Sequence, residues 1–359
     1  MKIIKANDYE LEVGSLVESS FSDLLSKRYS KSKKVIIVDE NSHEYCLEYL
    51  ITNFDELRES EVIQLPSGEE NKQIDIVISV WEALTEYGIS RYDLIINLGG
   101  GMVTDIGGFI ASSFKRGLDF INIPTTLLGM VDASIGGKTG INMGGFKNQI
   151  GIFSNPSALF IDTTFLSTLP DAELIGGYGE MLKHGLIFDK NLFQKVVKQL
   201  ENPFELSEEL LIECIEVKNK IVKEDPLESG KRKVLNFGHT IGHVIEGHFM
   251  EKNHFSHGYC VAIGMVMESY LSLKHGELGQ EEYNLIQDTL LIYYELPHFT
   301  DEDIHEMIIM LENDKKNSEG KIRCCLLDQI GNCTYDNICF EEDFLEVFMH
   351  FKNMHISLN

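Results

Sequence analysis

The stretch Asn97–Gly151, NLGGGMVTDIGGFIASSFKRGLDFINIPTTLLGMVDASIGGKTGINMGGFKNQIG, decides how the rest of the chain is read. A β-branched run ends at Leu98, three glycines follow, and a helical pattern begins. That is the strand–turn–helix context in which a dinucleotide-binding turn sits. Between Asn97 and Lys147 lie twelve of the thirty glycines of this 359-residue chain. The same span carries Lys115, Arg116, Lys138 and Lys147 against Asp105, Asp119 and Asp132, a local balance of +1 in a chain of net charge −26. Glycine has no Cβ, so its backbone can approach a ligand closely and turn several N–H groups on one anion. A positive island in an acidic protein implies a buried site for a phosphorylated or carboxylated small molecule.

Outward from this stretch, Lys34–Asp39, Val62–Leu65, Leu94–Leu98, Phe120–Ile123 and Ala158–Asp162 are short runs apolar on both faces, as parallel strands covered by helices are. Ile74–Tyr87 and Met102–Phe114 carry apolar positions at helical spacing between them. Strand–helix alternation predicts a doubly wound α/β sheet with ligands at the carboxyl ends of its strands. After about Thr168 the texture becomes helical: Ala172–Phe188, Leu206–Lys223, Val234–Phe249, Gly258–Lys274, Glu281–Tyr294 and Asp301–Asn313, with a hairpin near Lys321–Tyr335. Two domains are expected, 1–168 and 169–359.

Composition narrows the partners. Hydrophobic residues make up 43% and charged residues 25%, the balance of a soluble globular protein. A charge of −26 repels phosphate backbones and anionic lipid, which disfavours nucleic acid and membranes. The N-terminus lacks an apolar leader core, and no apolar run reaches membrane-spanning length. Seven cysteines without a C-x-x-C pattern argue against a disulfide framework or zinc ribbon, and for a reducing, cytoplasmic setting.

Each motif has a plain structural alternative. Gly99-Gly100-Gly101 fails to complete G-x-G-x-x-G because Thr104 holds the third position, so it reads as a cofactor turn or simply a tight βα turn. Gly137-Lys138-Thr139 imitates a P-loop, but Asp132 stands where its first glycine belongs. Thr125-Thr126 offers hydroxyls to a ligand or to a helix start. Five of the twelve histidines fall between His239 and His257. His239 and His243, at i and i+4, share a helical face suited to a divalent metal or to pairing with carboxylates. Glu180, Lys183 and His184 form a further candidate cluster, or a salt-bridged face.

In order, the blocks GGGMVTD, FKRG, IPTTLL, MVDASIGGKTGIN, KNQIG, LSTLP, GYGEMLKHG, RKVLNFGHTIGHVIE and HGYCVAIGM resemble the 3-dehydroquinate synthase family of sugar phosphate cyclases. The resemblance spans residues 66 to 265, with a weaker echo at Asp314-Lys315-Lys316. It implies a Rossmann-like NAD-binding α/β N-terminal domain, a mostly α-helical metal- and substrate-binding domain, and a homodimer. It implies conversion of a heptulosonate phosphate to a carbocycle with release of phosphate. Matching positions assign Glu180, His239 and His257 to the metal, zinc or cobalt, leaving His243 to substrate or proton relay. Lys138, Asn148 and Lys315 match groups around the leaving phosphate, and Arg116 one that reaches a neighbouring subunit. Lys218 and Arg232 match a carboxylate clamp. Asp132, Lys183, Glu228, Asn236 and His243 match the hydroxyl and proton network. Asp39, Glu69, Lys72, Gly100, Gly101, Asp105, Thr125, Thr126, Lys138, Lys147, Phe165 and Thr168 match the cofactor site.

The chain departs from the family pattern at Gly258-Tyr259-Cys260, where Gly-Glu-Ala is usual. If that carboxylate supports a ligand, Tyr259 offers a hydroxyl in its place and weaker metal binding is expected. His254 is an alternative ligand, and Pro226 stands where an acid is common. The rival functions are another sugar phosphate cyclase, a metal-dependent polyol dehydrogenase that releases NADH, and a non-catalytic copy that binds NAD without turnover.

Overall fold

A computed structural model describes residues 1–144, 146–249, 255–312 and 321–358. The chain divides into two compact units, Met1–Pro170 and Asp171–Asn359.

In the first unit the apolar runs assemble into a seven-stranded sheet. Its strands are β1 (Lys2–Lys5), β2 (Glu10–Val13), β3 (Lys34–Asp39), β4 (Glu61–Leu65), β5 (Leu94–Gly99) and β6 (Asp119–Pro124). A separate hairpin, β7 (Lys138–Met143) and β8 (Phe146–Phe153), precedes the last one, β9 (Ala158–Ile161). The order is β1-β2-β9-β6-β5-β3-β4, with β1 antiparallel to β2 and every other pairing parallel. β3 and β5 are buried along nearly their whole length, which explains why their sequences carry no polar face. The helices Ile74–Glu86 and Gly101–Ser113 cover one side, where Val77, Val80 and Leu84 meet Val103, Ile106 and Ile110 over Val35, Ile37 and Ile95.

From β3 the chain steps outward to β4, then crosses back to pair β5 on the other side of β3. This reversal is a topological switch point, and the crevice beyond its carboxyl ends is where open α/β sheets bind ligands. Asp39 ends β3 and Gly99 ends β5.

The hairpin β7–β8 departs from the sequence expectation. Lys138 opens a strand rather than a helix, so the P-loop resemblance of Gly137-Lys138-Thr139 has no structural counterpart. The two strands run so close that a Cβ on Gly151 would lie 2.5 Å from the Thr139 carbonyl oxygen.

The second unit is helical, with Asp171–Phe188, Lys190–Gln199, Glu208–Glu224, His239–Phe249, His257–His275, Gln280–Tyr293, Asp301–Glu312 and Glu341–Leu358 around a hairpin of Lys321–Gln329 and Asn332–Phe340. The expected single segment Val234–Phe249 is divided. A 3₁₀ turn, Lys231–Asn236, is followed by Gly238 at φ +80°, and only then by the helix. The fully buried Glu268 fixes this break by accepting the backbone N–H groups of Gly238 at 2.7 Å and Ile241 at 2.9 Å. No described helix is long and apolar enough to cross a membrane.

Glycines set how closely the helices cross. A Cβ on Gly258 would lie 1.9 Å from the Gly176 carbonyl oxygen, and one on Gly264 2.0 Å from that of Gly238. The helix His257–His275 therefore lies backbone to backbone against both Asp171–Phe188 and the start of His239–Phe249. Gly258→Ala is expected to cost about 1–3 kcal/mol by thermal unfolding, because backbone cannot retreat as a side chain can; unchanged stability would show that the crossing yields easily.

Candidate active site

The close helix crossings bring three imidazoles together. His239 and His243 lie one turn apart on one helix, and His257 begins the next. Their ring centroids are 5.1, 5.4 and 5.5 Å apart, and one nitrogen from each falls within 4.8 Å of the others. His239 Nε2 is 3.6 Å from Oε1 of Glu180, a fully buried carboxylate on Asp171–Phe188 that ion-pairs with buried Lys183 one turn on. Neither Glu180 oxygen accepts a well-formed hydrogen bond. The Lys183 ammonium offsets part of the cost of burying this carboxylate. Three nitrogen donors and one such carboxylate form a donor set that suits zinc or cobalt.

The other nitrogens are oriented from behind. His239 Nδ1 lies 3.2 Å from the Phe237 carbonyl oxygen, and His257 Nδ1 lies 3.1 Å from Glu246 Oε2. A carboxylate behind a ligating imidazole fixes its tautomer and raises its basicity. Glu246 thus does for His257 what sequence reading looked for at position 259, a role the sequence analysis missed. The available signal was spacing, since Glu246 lies three residues after His243 on the same helical face. Tyr259 points elsewhere: its hydroxyl donates to the Glu295 carbonyl at 2.8 Å and its ring stacks on Phe255. The expectation that Tyr259 stands in for the family's carboxylate is therefore corrected, and with it the ground for weaker metal binding. His254 lies outside the described residues, as does Lys315.

In the same unit, the turn after Glu208–Glu224 and the 3₁₀ turn that follows place Arg232, Glu228 and Asn236. Arg232 is almost fully buried and its Nη1 donates to the Pro226 carbonyl at 2.7 Å; Asn236 Nδ2 donates to Glu228 Oε1 at 2.8 Å. Lys218 is buried on Glu208–Glu224.

In the first unit, Gly100 caps the helix Gly101–Ser113 without a side chain, and a Cβ there would lie 2.9 Å from Thr126 Cγ2. Helix N–H groups at this bare end are suited to a phosphate. Thr125 N donates to the Gly99 carbonyl at 3.0 Å, and Thr126 Oγ1 accepts from Gly129 N at 3.1 Å, so this hydroxyl acts as a helix cap. Lys72, buried, bridges Glu69 at 2.9 Å and Asp105 at 3.0 Å. Burial alone would lower its pKa, but the Asp105 and Glu69 carboxylates outweigh that and hold it above the usual lysine range. Asn142 joins the group by donating to Glu69 Oε1 at 3.0 Å and accepting from Asn148 N at 2.9 Å. Asp39 caps the helix Glu40–Tyr45 through Ser42. Phe165 is buried edge-on to Tyr49, and Thr168 closes the same 3₁₀ turn. Asp132 lies on the π-helical turn Gly129–Ala133, Lys147 on β8, and Arg116 is exposed at a sharp turn.

Five described non-glycine residues have positive φ: Lys115, Arg116, Asn148, Glu228 and Asp336. Three of them are candidate site residues, and backbone strain tends to gather where function needs it.

Comparison with known proteins follows the same division of the chain. Residues 62–176 match the family model described as 3-dehydroquinate synthase N-terminal, and residues 177–317 the one described as 3-dehydroquinate synthase C-terminal. The chain is 38% identical to 3-dehydroquinate synthase of Parabacteroides distasonis over 333 residues, covering 92% of this chain and 94% of that one. Among solved structures, it is similar to 2-epi-5-epi-valiolone synthase from Streptomyces hygroscopicus subsp. jinggangensis with NAD⁺ and Zn²⁺ bound, with TM-score 0.85, 25% identity and 99% of each chain covered. It also shares the fold of a 2-deoxy-scyllo-inosose synthase complexed with carbaglucose-6-phosphate, NAD⁺ and Co²⁺, with TM-score 0.86, 22% identity and 98% and 99% coverage.

Proposed function

This chain belongs to the 3-dehydroquinate synthase family, and on that premise we propose which of its residues perform the family's reaction. The activity is that of a carbon–oxygen lyase. It converts 3-deoxy-D-arabino-heptulosonate 7-phosphate to 3-dehydroquinate and phosphate, on the shikimate route to aromatic amino acids, by transient oxidation, elimination, re-reduction and aldol closure. The observation that carries the residue assignment is the meeting of His239, His243 and His257 within an ion's reach, beside the buried charge of Glu180.

When bound, NAD takes up and returns a hydride, and a divalent cation stabilises negative charge on substrate oxygens. The switch point of β3 and β5 is the NAD site. Gly100, Gly101 and the helix they open face the pyrophosphate. Asp39, Glu69, Lys72, Asp105, Thr125, Thr126, Lys138, Lys147, Phe165 and Thr168 complete it. Glu180, His239 and His257 hold the metal, with zinc as the resident ion and cobalt as a substitute; the Zn²⁺ bound by the valiolone synthase supports that choice.

Among the chain's own groups, Lys183 keeps a buried cation against Glu180 and donates protons toward a substrate hydroxyl. His243, exposed and on the histidine face, takes a proton from a substrate hydroxyl and returns it. Glu228, Asn236 and Asp132 orient hydroxyls. Arg232 presents a planar fork to the substrate carboxylate, with Lys218 as a second cation. Lys138, Asn148 and Lys315 receive the phosphate. Fixing both anionic ends in one geometry supplies roughly 7–11 kcal/mol of barrier reduction.

A homodimer is supported by exposed Ile74, Ile78, Met143, Ile152 and Phe153 on neighbouring elements of the first unit, joined by the Gln73–Asn142 bridge. Arg116, exposed beside its strained turn, reaches toward the partner's site. Seven cysteines with no C-x-x-C pattern support a reducing cytoplasm. With NAD⁺, zinc and the heptulosonate phosphate, the protein is expected to release phosphate without accumulating NADH. Stoichiometric free NADH would instead make it a polyol dehydrogenase.

A further inference from the structure

We propose that Asp225 is a positioning residue that sets Arg232 and Glu228 in register for a substrate carboxylate, an inference that rests on the reading of Arg232 as the carboxylate clamp. Asp225 follows the last turn of Glu208–Glu224 and is 9% exposed. A carboxylate is poorly placed at a helix C-terminus, where the last carbonyls already concentrate negative charge. This one is held by donors that converge from the loop it precedes. Oδ1 accepts Ser229 N at 3.0 Å and Ser229 Oγ at 3.2 Å, while Oδ2 accepts Gly230 N at 2.7 Å and Arg232 N at 3.1 Å.

The loop is thereby wound around one side chain. Glu228 is held at φ +58° within it, and its carboxylate receives Asn236. The main chain of Arg232 is fixed by Asp225 and its guanidinium by the Pro226 carbonyl, so both ends of that side chain are set inside the same loop. The turn that follows has its own supports: Lys233 pairs with Asp336 at 2.7 Å, and Cys325 Sγ donates to the Lys233 carbonyl at 3.1 Å. Removing Asp225 therefore releases 226–232, while the 3₁₀ turn from Lys233 onward stays attached to the C-terminal hairpin. The Asp225 carboxylate is bonded by Ser229, Gly230 and Arg232 of its own loop, so it acts through Arg232 and Glu228.

The test compares Asp225→Ala, Asp225→Asn and Arg232→Lys in steady-state kinetics with 3-deoxy-D-arabino-heptulosonate 7-phosphate, with thermal unfolding of each variant. Loss of charge-assisted hydrogen bonds in Asp225→Ala is expected to raise KM for this substrate about 10- to 30-fold. The fall in kcat is expected to be less than about 3-fold, with KM for NAD unchanged. Asp225→Asn keeps one acceptor oxygen and should fall between, which carries the test if the alanine variant does not fold. The proposal is overturned if Asp225→Asn leaves KM within about twofold while Arg232→Lys raises it. It is also overturned if KM for both substrates and kcat change together with the unfolding midpoint, as a purely structural loss would produce. If Arg232→Lys itself leaves KM unchanged, the clamp reading fails first and the role of Asp225 with it.

Discussion

Turnover is expected to fall by at least about 10³-fold in His257→Ala, equivalent to about 4 kcal/mol of transition-state stabilisation. The variant is also expected to leave extensive dialysis largely free of zinc while the wild type retains it. His257 is one of the two imidazoles proposed to hold the ion with Glu180, and alanine leaves only His239 and Glu180 for it. Because Glu246 backs His257 at 3.1 Å, Glu246→Gln should weaken metal binding by about tenfold rather than abolish it. Tyr259→Phe should leave metal affinity unchanged, since that hydroxyl bonds to the Glu295 carbonyl. Full metal retention in His257→Ala would move the third ligand elsewhere, with His254 the first residue to try.

The largest effect on stability is expected at Glu268. Glu268→Ala should cost about 3–5 kcal/mol in denaturant unfolding, because it strips acceptors from buried N–H groups at the start of His239–Phe249 and opens a cavity. Burial raises the Glu268 pKa to about 8, against the lowering effect of the backbone N–H groups of Ile241 and Gly238. The folded chain then holds a proton that the unfolded chain has released. The Glu268 contribution is therefore greatest below the unfolded carboxyl value near 4.3 and declines as pH rises toward 8, by up to about 1.4 kcal/mol per pH unit. Glu268→Gln removes that titration, so the stability difference between wild type and variant should shrink over this range. A difference independent of pH would mean that Glu268 stays ionised throughout.

How much was legible in the sequence depended on what each segment had to satisfy locally. β3, β5, β6 and β9 announced themselves because both faces are buried, so their runs are uninterrupted and apolar. β7 and β8 did not, because their closest approach is backbone to backbone at Gly140 and Gly151, and glycine carries no pattern. The Val234–Phe249 segment read as one helix because the group that breaks it, Glu268, lies 27 residues beyond Ile241. The site divides in the same way. His239 and His243 share a turn and could be paired by counting, whereas Glu180 stood out only as part of a separate cluster and the role of Glu180 and His257 as metal ligands entered through family resemblance. Glu246 and Asp225 act through neighbours, and nothing in residue type marks a carboxylate that faces another side chain rather than water.

The positive φ angles at Asn148 and Glu228 have a practical consequence for anyone trying to make this protein more heat-resistant. Glycine at either position would relieve the conformational cost of a left-handed backbone, which is about 1–2 kcal/mol for an ordinary L-residue and less for asparagine, although glycine returns part of that as extra freedom of the unfolded chain. The gain would come by deleting an amide and a carboxylate that are proposed above to meet the phosphate and the substrate hydroxyls. Screens that select on melting temperature alone should therefore be steered away from residues 148 and 228, where durability and catalysis draw on the same dihedral angle.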